Sequence, residues 1–185
     1  MIIDASLGRA SCSAFPTCSN CSQQPMQPLT PQPVMMPPPQ ERAAALNVQM
    51  NTAQTAIANG AVIPLAGSIR HSGTGLGFDA ANHAVVIGAP GIYAFDWQVL
   101  VQSAEETGDV VLALQSLDGT AVLGFSGTMD VPTEGGTLIS GSAVAQLRSG
   151  TEYALVNVSG AAINIPVAGT TPASYAASLN VSEVG

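Results

Sequence analysis

Between residues 91 and 101 the chain places Tyr93, Phe95, Trp97, Val99 and Val101 at every second position, with Ile92, Ala94, Asp96, Gln98 and Leu100 between them. A period of two with one large apolar face is the pattern of a half-buried β-strand. The chain has four Phe, three Tyr and one Trp, and three of these aromatics lie on this strand, so it predicts the centre of a β-sandwich core. Shorter apolar runs continue the pattern on both sides. The predicted strands are 61–69, 83–88, 91–103, 109–117, 120–127, 137–147, 152–159, 161–167 and 174–184. Gly- and Asp-rich punctuation separates them, as at 73–77, 89–91, 107–109, 134–136, 149–150 and 159–160. Asp118-Gly119 between two apolar runs predicts a two-residue hairpin of type I′. Short strands at this spacing predict an all-β fold, an antiparallel sandwich or jelly roll over 60–185.

The first sixty residues read differently. Residues 40–59 are rich in Ala and Gln and end at Asn59-Gly60, which predicts one short helix. Ala43, Leu46, Met50, Ala53 and Ile57 fall at alternating spacings of three and four, the seam of a short coiled coil or the apolar face of a helix packed on its own domain. Upstream, seven of the thirteen prolines fall between Pro25 and Pro39, which excludes helix and interior strand and predicts an extended linker. Cys12, Cys18 and Cys21 precede it with the spacing C-x5-C-x2-C. Three thiols with no neighbouring fourth ligand suit cross-links between chains, inert thiols or a metal shared between subunits. The expected organisation is therefore a tail over 1–40, a helical neck over 41–59 and a head over 60–185.

Composition narrows the function classes. Only 9% of the residues are charged while 46% are apolar, so the surface is dominated by small polar and small apolar groups and suits burial against copies of itself. A net charge of -8, with all four basic residues arginine, argues against nucleic acid and anionic membranes, both of which demand clustered Lys and Arg. Without lysine there is no Schiff base and no Lys–Asn cross-link. No segment is long and apolar enough to cross a bilayer, and residues 1–9 lack the basic and apolar regions of a secretory signal.

Candidate chemistry is sparse. His71 lies near a Gly-rich turn and His83 at a strand start, neither beside a nucleophile in a recognisable motif. Glu105, Glu106 and Asp109 share one turn, which reads as a solvated acidic loop or as oxygen ligands for calcium, although the spacing is not that of an EF-hand. Asp96, on the polar side of the Tyr93 strand, faces solvent or pairs with Arg70 or Arg148. Asn20, Asn157 and Asn180 each open an Asn-x-Ser triplet, and these read as chance matches to the glycosylation pattern. No catalytic constellation and no cofactor site is expected.

Three separated pieces carry a family resemblance. Gly91-Ile92-Tyr93-Ala94-Phe95 resembles the G-x-Y-x-F strand of the trimeric jelly rolls related to complement and tumour necrosis factor. Val144 to Tyr153 resembles the later v-x-L-x-x-G-d strand-turn-strand, and Ser174 to Leu179 the closing strand, with Tyr175 and Ala177 where the family usually has Phe and often Gly. The texture is closest to the C-terminal domain of collagen-like exosporium glycoproteins on endospores, but no Gly-X-Y stalk is present. The resemblance implies a homotrimer with its sheets around a threefold axis. It further implies a neck at Leu46, Met50, Ala53 and Ile57, and a core containing Tyr93, Phe95, Trp97, Tyr153, Tyr175 and Leu179. The implied role is that of a structural surface protein, joined to spore-coat or filament proteins through its tail. The alternative is an adhesin or fibre tip that recognises a receptor or surface glycan.

Overall fold

The computed structural model describes residues 43–66, 69–167 and 176–185. Twelve strands run through them: β1 (Ala45–Met50), β2 (Gln54–Ile57), β3 (Ile69–Ser72), β4 (Leu76–Asp79), β5 (Ala84–Ile87), β6 (Gly91–Ser103), β7 (Gly108–Ser116), β8 (Val122–Val131), β9 (Thr137–Leu147), β10 (Thr151–Asn157), β11 (Ile163–Ile165) and β12 (Ala177–Glu183). They form a seven-stranded sheet in the order β2-β11-β6-β12-β1-β3, with β9 on the other side of β6, and a five-stranded sheet in the order β4-β5-β10-β7-β8. Every pairing is antiparallel. Together these sheets make an all-β jelly roll, closed over one hydrophobic core.

β6 organises the seven-stranded sheet. It pairs with β9 from Gly91 to Val101 and with β12 from Tyr93 to Val99, and it reaches β11 at Gln102 and Ser103. Its alternation sends Tyr93, Phe95, Trp97, Val99 and Val101 into the core. Phe95 meets Tyr153 of the opposite sheet edge-on, with ring centroids 6.2 Å apart, a favoured geometry for the positive ring edge against a negative face. Leu179 is also buried, whereas Tyr175 lies outside the described residues. The phenol of Tyr93 is buried and donates to the carbonyl of Ala89 at 2.8 Å. Burial, and then the charge of Glu183, push its pKa above the ordinary 10.0.

That shift has a pH consequence. Because the folded pKa lies above the unfolded one, the stabilisation is complete below pH 10.0 and is lost as pH rises through the folded value. Alkaline unfolding is therefore expected to coincide with ionisation of one late-titrating tyrosine, and Tyr93→Phe should flatten that limb of the stability profile. Tyrosinate absorbance recorded alongside circular dichroism checks this, and a variant with an unchanged alkaline limb would contradict it.

The helix expected over 40–59 is not formed by the described part of that segment: β1 and β2 replace it. Ala44, Leu46, Val48 and Met50 alternate with Ala45, Asn47 and Gln49, and all four of the former are buried in the core. Leu46 and Met50 thus fill the head itself and form no helical seam, while Ala53 is exposed and Ile57 is buried against the same core. The good helix propensity of Ala and Gln is worth only tenths of a kcal/mol per residue, and it yields to ladders on both sides of β1, with β12 and β3. Ala56 has φ 54, in the left-handed region where a right-handed helix cannot continue.

The β7–β8 hairpin is present, but its turn is not type I′. Gly119 takes φ 70 while Asp118 is not left-handed, and a type I′ turn needs both. Instead Gly119 N–H donates to Ser116 O at 2.9 Å, and the Asp118 carboxylate accepts from Ser116 Oγ at 2.6 Å, Thr120 Oγ1 at 2.8 Å and Thr120 N–H at 3.0 Å. These hydrogen bonds hold the Asp118 pKa below its ordinary 3.8, the Ser116 hydroxyl contributing most.

Candidate assembly surface

The side chains of β6, β9, β12 and β1 that do not enter the core make the outer face of the seven-stranded sheet, and the register places them in rows. Asn47, Asn180, Asp96 and Ser142 lie side by side across four strands, as do Gln49, Ser178, Gln98 and Ser140. Asn47 Nδ2 donates to Asn180 Oδ1 along the first row. Asp96 is the one ionisable group in these two rows. Two shallow depressions mark the face: one of about 380 Å³ where β1, β3, β12 and β6 meet, bordered by Asn47, Arg70, His71, Asp96 and Asn180; and one of about 360 Å³ bordered by Gln98, Ser140 and Ser142 above Trp97 and Gly141.

Beneath the second depression, Gly141 has no side chain, and the space that one would fill on the core side is taken by Trp97. Gly141 is the direct partner of Trp97 across the β6–β9 ladder, and the indole runs beneath it to donate from Nε1 to Ser126 Oγ of β8 at 2.7 Å. Trp97 therefore ties the two sheets together at the side of the sandwich where β8 and β9 lie close. Asp96 and Arg70 line the same groove, so the topology gathers this pair, whereas Arg148 lies in the turn before β10.

Along the side of the sandwich, β8 pairs only with β7 and β9 only with β6 among the described strands. Both are edge strands, and both carry exposed apolar side chains: Val122, Phe125 and Met129 on β8, Leu138 and Val144 on β9. These are five of the ten exposed large hydrophobic residues among those described. Such a concentration on adjacent edges marks an interaction surface more than the scattered exposure common on monomers.

The remaining candidates are placed as follows. His71 is exposed on β3. His83 has φ 53 and its Nδ1 lies 3.1 Å from Leu65 O, so it shapes the turn before β5. Glu105, Glu106 and Asp109 are exposed around a loop cavity of about 390 Å³. Among the described residues, no group of three or more His, Cys, Asp and Glu is arranged to hold a metal. Asn157 is fully buried and both its amide hydrogens are engaged, with Ile57 O and Ala161 O, so the folded chain cannot present it for glycosylation. Cys12, Cys18, Cys21 and Asn20 lie outside the described residues. Among the described residues no helix is long and apolar enough to cross a membrane. Residue alternation alone could have located the outer rows, but the pairing of Trp97 with Gly141 required the register.

No protein-family model matches the chain. No curated protein matches it either. Solved structures do match. Murine APRIL superposes with a TM-score of 0.53 at 13% identity, covering 77% of this chain and 100% of that one. The Eiger TNF of S. frugiperda gives 0.56 at 14%, covering 77% and 92%. The globular domain of zebrafish complement 1qA gives 0.51 at 17%, covering 74% and 94%. At these identities the likeness is one of fold, and the described residues form a jelly roll of the kind shared by tumour necrosis factor and complement globular domains.

Proposed function

We propose that this chain is a structural surface protein whose jelly-roll head assembles as a homotrimer, held in an outer layer, that of an endospore or its filaments, by the Cys- and Pro-rich tail over residues 1–40. One observation carries the assembly: among the described residues, half of the exposed large hydrophobic ones lie on the two adjoining edge strands β8 and β9, next to a sheet face with few charges. A surface of small amides and hydroxyls costs little to bury when its hydrogen bonds are remade across a contact, and the apolar edges supply the driving force. The jelly rolls that the fold matches commonly form trimers, which agrees with this reading. The spore-layer location rests on the Ser-, Thr-, Ala- and Val-rich texture of the head and on its resemblance to exosporium glycoproteins.

The first test is absolute mass in solution by light scattering on the full chain. The expected value is three times 18.6 kDa, unchanged by reductant if the head alone drives assembly. A single 18.6 kDa species at every concentration would end the proposal. A triple Cys12, Cys18 and Cys21→Ser variant is expected to remain trimeric yet lose any covalent species on a non-reducing gel.

A further inference from the structure

We propose that the groove between β1, β3, β12 and β6 receives Met129 and Asp130 from β8 of a second copy of this chain. The inference rests on the trimer reading and names the contact that builds it. On β8 the register slips: Gly108 pairs with Val131 and Val110 with Thr128, so Met129 and Asp130 together stand opposite the single residue Asp109. This is a β-bulge on an edge strand, with Asp130 at φ 55, and bulges redirect side chains away from the ladder. Its effect is visible in Met129, which at 75% is the most exposed large hydrophobic residue among those described. Asp130 N–H donates to Asp109 Oδ1 at 3.3 Å, so the protruding thioether is flanked by two carboxylates.

The groove is the chemical complement of this knob. Its volume of about 380 Å³ suits an unbranched side chain, and Ala45 and Val181 contribute to its walls. Arg70 and His71 border it on β3, and Asp96 borders it on β6. Arg70 is one of only two arginines among the described residues, with Arg148, and it lines the groove into which an apolar group flanked by carboxylates would insert. Asp96 enforces direction, because an approach that set Asp130 on the β6 side would bring two carboxylates together. Knob and groove lie on different sheets of the same chain, so they meet only between copies and the contact is heterologous. Repeated around a rotation axis, such contacts close into a ring.

Sedimentation equilibrium of the full chain at a series of concentrations tests the pairing. Arg70→Glu and Asp130→Arg should each raise the trimer dissociation midpoint roughly tenfold or more, and the double exchange R70E/D130R should bring it back to within about threefold of the parent. Met129→Ala should also weaken assembly, while the Trp97 emission of each monomer stays that of the folded parent. A trimeric parent whose midpoint is unmoved by both single charge reversals would overturn this contact and leave the trimer reading intact. Single reversals that weaken assembly without recovery in the exchange would equally overturn it. A parent that never exceeds one subunit would remove both.

Discussion

Gly141→Ala is expected to destabilise the domain by on the order of 3 kcal/mol or more, lowering the melting temperature by roughly 10 °C. A methyl group at that position would sit 2.3 Å from Trp97 Cζ2, 2.5 Å from Cε2 and 2.8 Å from Ser126 Cβ. No pair of unbonded carbons tolerates such distances, so something must shift. The far end of a flexible side chain could give way cheaply, but the indole cannot: it is 1% exposed, and its Nε1 is held by Ser126 Oγ on the opposite sheet. Moving it would break that hydrogen bond and open the β6–β8–β9 side of the core. Gly141 needs no unusual backbone for this role; the constraint is one of space. Thermal unfolding followed by circular dichroism is the direct measurement, with the emission of the chain's single Trp expected to shift to the red. A melting temperature within about 2 °C of the parent would mean the indole has somewhere else to go, contradicting the close approach.

The second large effect is expected at Asn157→Asp, a change of one atom in a fully buried side chain. Asn157 Nδ2 donates to Ile57 O at 2.9 Å and Ala161 O at 2.8 Å, while Oδ1 accepts from Ser159 N–H at 3.0 Å and Ser159 Oγ at 2.6 Å. Its backbone adds bonds to Gly60 and Ala61, so one residue at the end of β10 secures both the chain leaving β2 and the turn towards β11. Aspartate keeps the shape but turns two donors into an acceptor that faces two carbonyl oxygens. A loss of roughly 3–5 kcal/mol at neutral pH is expected, the scale for a buried charge left without a partner.

The pH dependence distinguishes this account from a generic packing defect. In the variant, burial and the facing carbonyls would raise the carboxyl pKa above its unfolded value of about 3.9. A raised folded pKa means that the neutral acid is favoured in the fold: the deficit is smallest below about pH 4 and grows as pH rises through the folded value. Denaturant midpoints for parent and variant should therefore converge at acidic pH and separate towards neutrality. A deficit independent of pH would show that the amide hydrogens of Asn157 do not carry the stabilisation assigned to them.

Much of the β architecture is legible in the sequence, and the reason differs from element to element. β6 and β9 were read as 91–103 and 137–147, the spans they occupy. Strands that are long, central and buried on one face must alternate strictly, and Gly91 and Gly136 punctuate them. β1 was misread because two signals overlapped. Leu46, Met50, Ala53 and Ile57 satisfy a helical spacing, while Ala44, Leu46, Val48 and Met50 satisfy a period of two. Composition favoured the first, and the ladders with β12 and β3 selected the second. β4, with one buried residue in four, carries too weak an alternation to be recognised. The type I′ turn failed for a local reason: the Asp118 carboxylate satisfies Ser116 and Thr120 and favours the turn in which only Gly119 is left-handed.

The candidate surface was legible only in outline. Low charge and high apolar content already implied that some face would be covered, since apolar area exposed to water is costly wherever it lies along the chain. Which face could not follow from composition. The groove joins Asn47, Arg70, Asp96 and Asn180, residues brought together solely by the order β6-β12-β1-β3, and the knob depends on a one-residue slip between β7 and β8. Alternation along a strand is a property of neighbouring residues, so it suffices to define an antiparallel β-sandwich centred on Tyr93, Phe95 and Trp97. Adjacency between strands is settled by competition among pairings distant in the chain. For that reason the place of residues 45–57 in the head, the room that Gly141 leaves for Trp97, and the position of the sparsely charged face and its apolar edges all follow from which strands pair in three dimensions.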